Sequence, residues 1–299
     1  MSNVYIIKDP VYNESTSRIH NFTLEWIKWY RFAKIAPKEH KIESSDIVIV
    51  NLYDGVNPCA GYDIHPTAKR IYIVHKINRD NVKHLEDANF IIYINDVMQQ
   101  IAELAGIRKP CIACPRYPLY EFFGTEFLKE DFVHIGGWFF DDRIEGLTDA
   151  LLNMNSKLPK DIQYHYYYVW GGVESRKKKI HDQFETLRKI PVLNNRVHTF
   201  VESELSYNIS LFTTRIAKYG FIHRNAPTIE EVFDLINSKD QSILNYSISE
   251  SSMLSMYQSS NVDVITTDNI ECIPLYRDTN HFTFRDFAEI INNAVKKFS

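Results

Sequence analysis

Residues 131–152, DFVHIGGWFFDDRIEGLTDALL, hold a strand, a turn and a helix in immediate succession. The run DFVHIGGWF (131–139) has the β-branched and aromatic content of a strand and carries Gly136-Gly137 near its end. Residues 141–154 then take up apolar spacing that predicts a helix. Glycines between a strand and a helix let backbone N–H groups approach an anion, and the helix N-terminus favours its negative charge. With only 10 glycines in 299 residues, a pair in this position is informative. The arrangement repeats at once: IQYHYYYVWGG (162–172) is a strand ending on Gly171-Gly172, and ESRKKKIHDQFETLR (174–188) is a charged helix.

The alternation continues to the end of the chain. RVHTFV (196–201) reads as a strand or edge segment, and YGFIHRN (219–225), SILNYS (242–247) and VDVITTD (262–268) read as strands. Residues 204–218, 228–238 and 250–259 read as helices between them. HFTFRDFAEIINNAVKKF (281–298) closes the chain as an amphipathic helix. Towards the N-terminus, VYIIK (4–8), DIVIVNL (46–52), RIYIVHK (70–76), NFIIYIN (89–95) and PCIACP (110–115) read as strands. Helices are expected at 17–35 and at 96–106, the latter ending on Gly106. The segment PRYPLYEFFGTEFLKED (115–131), with its prolines and clustered aromatics, interrupts the rhythm. The expected organisation is α/β, with a Rossmann-like domain over 1–115, a linker over 116–130 and a second Rossmann-like domain over 131–299.

Composition narrows the function classes. Hydrophobic residues at 44% and charged residues at 24% suit a chain with a sizeable core and argue against disorder. A net charge of −4 disfavours attachment to nucleic acid by bulk positive charge. No run approaches 18 apolar residues, and MSNVYIIKDP is not a signal peptide, so a cytoplasmic location without a membrane span is expected. Four cysteines suit a reducing compartment; Cys111 and Cys114 have no second pair at zinc spacing, and no metal site is expected. Neither half carries G-x-G-x-x-G, which disfavours a nicotinamide-dependent oxidoreductase.

In open α/β sheets ligands bind outside the carboxyl ends of the strands. Candidate ligand-binding residues therefore follow the strands: Gly136, Gly137 and Arg143 after one, Gly171, Gly172 and Arg176 after the next, and Glu250 with Ser251 in a third segment. Each has a plainer alternative: a tight turn for the glycines, a solvated face for the basic run 176–179, a helix-capping role for Glu250.

HIGGWFFDDRIEGLTDALL, YVWGGVESRKKK and SESSMLSMYQSSNVDVITTD stand in the order and at the separations of three motifs. In these the carboxy-terminal half resembles the two-Rossmann (GT-B type) nucleotide-sugar-dependent glycosyltransferases, especially the large retaining family. Trp138 stands where that family has its first phosphate-binding arginine, Arg143 where it has a lysine, and Gln258 where it has the second of two glutamates. The resemblance implies two Rossmann-like domains facing across a cleft. It implies a nucleotide-diphosphate sugar held by Gly136, Gly137, Arg143, Gly171, Gly172 and Arg176, with Glu250 on the ribose or sugar and Ser251 on phosphate. The donor is a substrate; no cofactor and no metal are implied, because cations and helix dipoles stabilise the leaving diphosphate. The amino-terminal domain would take the acceptor, with Asp9, Glu14 and His75 as the candidate catalytic group. The implied activity is sugar transfer to a hydroxyl of a glycan or polysaccharide. One alternative acceptor is a hydroxylated base in DNA, as in phage-type DNA glycosyltransferases, which would place the protein in a host cytoplasm. A second alternative is a catalytically weakened two-Rossmann binding or partner protein.

Overall fold

The computed structural model describes residues 2–7, 33–52, 57–115, 117–121, 127–137, 147–168, 174–201, 207–222, 229–246, 248–249, 252–266 and 282–299. The chain divides into two units, one formed by Met1–Tyr120, Ala226–Ser251 and Glu271–Ser299, the other by Glu121–Asn225 and Ser252–Ile270.

The first unit is built on strands with almost no polar positions. β1 (Val4–Ile7) and β4 (Ile47–Leu52) are buried at every residue. Continuous apolar runs of this kind are what a parallel sheet covered on both faces requires. With β2 (Ala33–Ile35), β6 (Lys69–Val74), β8 (Phe90–Tyr93) and β9 (Cys111–Ala113), they form a six-stranded sheet of order β2-β1-β4-β6-β8-β9. All its pairings are parallel. Counted along the chain the order is 2-1-3-4-5-6, a doubly wound arrangement whose order reverses beside β1. Two small ladders complete the unit: β3 (Lys41–Ile42) with β5 (Asp63–Ile64), and β7 (Lys76–Ile77) antiparallel to β14 (Ile248–Ser249).

α1 (Asp96–Leu104) starts on Asn95, whose side chain accepts from the Met98 N–H, and buries Val97, Met98, Ile101 and Ala102. It stops at Gly106, which sits at φ +88°, the left-handed conformation that glycine takes without a Cβ penalty. The closing helix, here α7 (Phe284–Lys296), has a reciprocal cap between Thr283 and Asp286 and buries Phe284, Phe287, Ala288 and Ile291. Leu119 N–H donates to the Phe282 carbonyl at 2.8 Å, and the Phe284 ring lies 4.9 Å from Tyr120. These contacts hold the closing helix on the first unit, although the chain reaches it after the restart at residue 131.

The second unit has a five-stranded, wholly parallel sheet. Its strands are β10 (Glu130–Gly137), β11 (Gln163–Tyr168), β12 (Val197–Val201), β13 (Ala217–Ile222) and β15 (Asp263–Thr266), in the order β12-β11-β10-β13-β15. Counted within the unit this is 3-2-1-4-5, the order of a dinucleotide-binding Rossmann sheet. On one face Val133, Ile135, Tyr164, Tyr166, Val197 and Phe221 form a core with Leu151 of α2 (Leu147–Lys157) and Phe184 and Leu187 of α3 (Glu174–Arg188). α4 (Tyr207–Ile216) and α6 (Ser252–Ser259) also belong to this unit, while α5 (Ile229–Asn237) belongs to the first.

Two local expectations differ from the structure. SILNYS is not a strand: Gln241–Asn245 is a 3₁₀ turn that starts on Asp240, whose carboxylate accepts from the Ser242 N–H, and buries Ile243 and Leu244. Residues 33–35, assigned to a helix by spacing, pair in parallel with β1, where Ala33 and Ile35 follow a strand's period of two. The remainder of that expected helix lies outside the described residues.

Candidate functional site

The strand order of the second sheet reverses beside β10, the first of its strands along the chain and the central one in space. Gly136 and Gly137 are its last two residues, paired with Tyr167 and Tyr168 of β11. The glycine pair thus stands at the carboxyl end of the strand where an open sheet of this order binds its ligand. Arg176 falls in the first turn of α3, the helix that follows β11. Arg143, Gly171, Gly172, Glu250 and Ser251 lie outside the described residues, Glu250 and Ser251 directly before α6 in the chain.

Beneath the glycine pair is a polar feature that spacing does not reveal. His134, two residues before Gly136 and on the same face, is 2% exposed. Its ring stacks on Tyr167 at 4.3 Å with the planes 14° apart. The Tyr257 hydroxyl of α6 donates to the His134 carbonyl at 2.9 Å and lies 2.8 Å from His134 Nδ1. A hydroxyl has one proton; with that proton on the carbonyl, its oxygen accepts from Nδ1–H, which assigns the tautomer of His134. Burial pushes the Tyr167 phenol up to about 12, against the opposing effect of a hydrogen bond with Thr213. His134 and Tyr257 are 123 positions apart, and no local motif joins them.

The first unit holds one residue of the candidate catalytic group within the described residues. His75 follows β6 directly and is 4% exposed. Its Nε2 donates to the Asn51 side-chain oxygen at 2.9 Å, and Tyr117 packs 6.4 Å from its ring. Burial pushes His75 down to about 3, so at neutral pH it is an uncharged, oriented imidazole. Asp9 and Glu14 lie outside the described residues. Asn51 was not expected from sequence; an asparagine inside an otherwise apolar strand run is the signal that would have found it.

Among the described residues there is no group of three or more His, Cys, Asp or Glu able to hold a metal ion. Nor is any helix among them long and apolar enough to cross a membrane.

No protein-family model matches the chain, and no curated protein matches it in sequence. Solved structures do match in shape. Trehalose-6-phosphate synthase OtsA superimposes with a TM-score of 0.54 over 99% of this chain and 99% of that one, at 8% identity. The pneumococcal O-GlcNAc transferase GtfA, solved with UDP and GlcNAc, superimposes with a TM-score of 0.51 over 86% of this chain at 11% identity. The fold is shared with glycosyltransferases. At these identities the likeness is one of fold, and the match with GtfA extends over 57% of that protein's length.

Proposed function

We propose that the chain is a glycosyltransferase that moves a sugar from a nucleoside-diphosphate donor to an acceptor hydroxyl. The observation that carries the reading is the position of Gly136-Gly137 at the carboxyl end of the central strand, where the 3-2-1-4-5 order reverses. The likeness to trehalose-6-phosphate synthase along the full length of both chains supports the reaction class.

In this reading the acceptor oxygen bonds to the anomeric carbon as the bond from that carbon to the diphosphate oxygen breaks. The acceptor proton leaves to a base or to the departing phosphate. Backbone N–H groups at Gly136, Gly137 and Gly171-Gly172, the start of α3 and the cations Arg143 and Arg176 stabilise the charge that develops on the diphosphate. Glu250 accepts hydrogen bonds from ribose or sugar hydroxyls, and Ser251 donates to phosphate. Asp9 and Glu14 supply the carboxylates from which a base would come. His75, neutral and fixed by Asn51, serves as a hydrogen-bonding group and not as a proton reservoir. The acceptor class is a glycan or polysaccharide, with a hydroxylated DNA base as the alternative.

A calorimetric and thermal-shift screen against UDP, GDP, ADP and CMP tests the donor site, followed by assay of donor hydrolysis with the matching nucleotide-sugar. One nucleotide is expected to bind, with binding lost in Gly136→Val and weakened in Arg143→Ala. A protein that binds none of the four sinks the reading. Binding without turnover on any acceptor would favour a binding protein, the reading to which Trp138 and Gln258 point.

A further inference from the structure

The register of β11 and β12 sets His165 directly opposite His198, so both side chains leave the same face of the sheet. Their ring centres are 5.3 Å apart and their planes stand at 85°. His165 is half-buried and stacked on Phe132 at 4.2 Å with the planes 18° apart, while Phe200 packs 5.4 Å away. His198 is exposed.

The orientation of His198 is set by its neighbour. Gln163 Nε2 donates to the Asp161 carbonyl at 3.1 Å, which turns the amide oxygen towards His198 Nε2 at 3.0 Å. An amide oxygen only accepts, so His198 Nε2 carries a proton, and in the neutral ring Nδ1 is left with the lone pair. An imidazole that donates one ring N–H to a carbonyl and keeps the other nitrogen for a ligand is the usual arrangement around protein-bound metals. Two imidazoles bound to one tetrahedral ion at ~2.0–2.1 Å would hold their ring centres about 5 Å apart, close to the separation here.

We propose that His165 and His198 form a surface site for a divalent ion of the Zn²⁺, Ni²⁺ and Cu²⁺ class, with Gln163 orienting His198 and water filling the open positions. Neutral nitrogen donors without a carboxylate suit these ions and not Mg²⁺ or Ca²⁺. The ion would clip the edge strand β12 to β11. The site lies two residues before Gly136 along the register and does not rest on the glycosyl-transfer reading.

The test uses the untagged full chain after removal of adventitious metal with a chelator. Cu²⁺ is titrated by calorimetry and followed by electron paramagnetic resonance, with Mg²⁺ as the comparison ion. The wild-type protein is expected to take up one equivalent that shows coupling to two nitrogens and raises the melting temperature, with no response to Mg²⁺. His198→Ala, at an exposed position, and His165→Phe, which keeps the stack on Phe132, are each expected to lose that equivalent and the melting shift, with circular dichroism unchanged. Persistence of the equivalent in either folded variant, or its absence from the wild-type protein, overturns the proposal.

Discussion

Gly220 shows how one residue fixes the approach of a helix to a sheet. A Cβ built at this position would lie 2.6 Å from the ring of Tyr257, nearer than real atoms come. The same tyrosine is tied by its hydroxyl to His134, so it has little room to retreat. Gly220→Ala is therefore expected to destabilise the second unit by about 1–3 kcal/mol, the usual result of overpacking, readable as a lower denaturant midpoint. An unchanged midpoint would show that α6 shifts freely. His75 makes a second prediction at this scale. Its folded-state pKa of about 3 lies below the unfolded value of ~6.5, so unfolded chains bind the proton first as pH falls. The stability gained by keeping the ring neutral is complete above about pH 6.5 and is lost on acidification towards pH 3, with a slope of about 1.4 kcal/mol per pH unit. His75→Gln, which keeps a donor for Asn51, should flatten the pH dependence of unfolding by one proton across that window. An identical slope in both proteins would mean that the ring is accessible to solvent.

At the scale of elements, caps and chain ends account for where helices stop. Asn95 and the Thr283–Asp286 pair were in the sequence as cap-forming residue types, and Gly106 ends α1 as its position suggests. Lys129 was not legible. Its ammonium donates to the Arg215 carbonyl at the end of α4 and to the Ser260 carbonyl just past α6, both at 2.8 Å. A cation there satisfies carbonyls that each helix leaves without an intrahelical partner and opposes the negative end of each dipole. Burial and the neighbouring Arg215 push this lysine's pKa down, with Asp263 acting against them. Lys129→Met keeps the stem and removes the donors. It should cost about 1 kcal/mol in chemical denaturation and increase amide exchange in the last turns of α4 and α6. Exchange confined to other elements would contradict the cap. The 3₁₀ turn at Gln241–Asn245 shows the opposite limit: a short apolar run has the length and composition of a strand, and these alone do not separate buried strands from buried turns.

At the scale of the whole molecule, the proposed activity makes an energetic prediction: a nucleotide at ~100 times its dissociation constant should stabilise the folded chain by about 2.7 kcal/mol. The α/β class and two successive sheets were legible because buried parallel strands must be almost wholly apolar, as VYII, IVIVNL and FIIY are, and because a glycine pair ends β10, the first strand of the second sheet. The glycine pair at 136–137 was legible as a local composition signal, at the end of the strand. Strand order was not: 2-1-3-4-5-6 and 3-2-1-4-5 depend on pairings between segments tens of residues apart. Nor could the sequence show that α7 returns to Tyr117 and Tyr120, that Tyr257 reaches His134, or that His165 faces His198. Local pattern and turn chemistry act over a few residues and so can be read from one segment at a time. Partners at long range are chosen by complementary burial and register, which exist only once the sheets have formed.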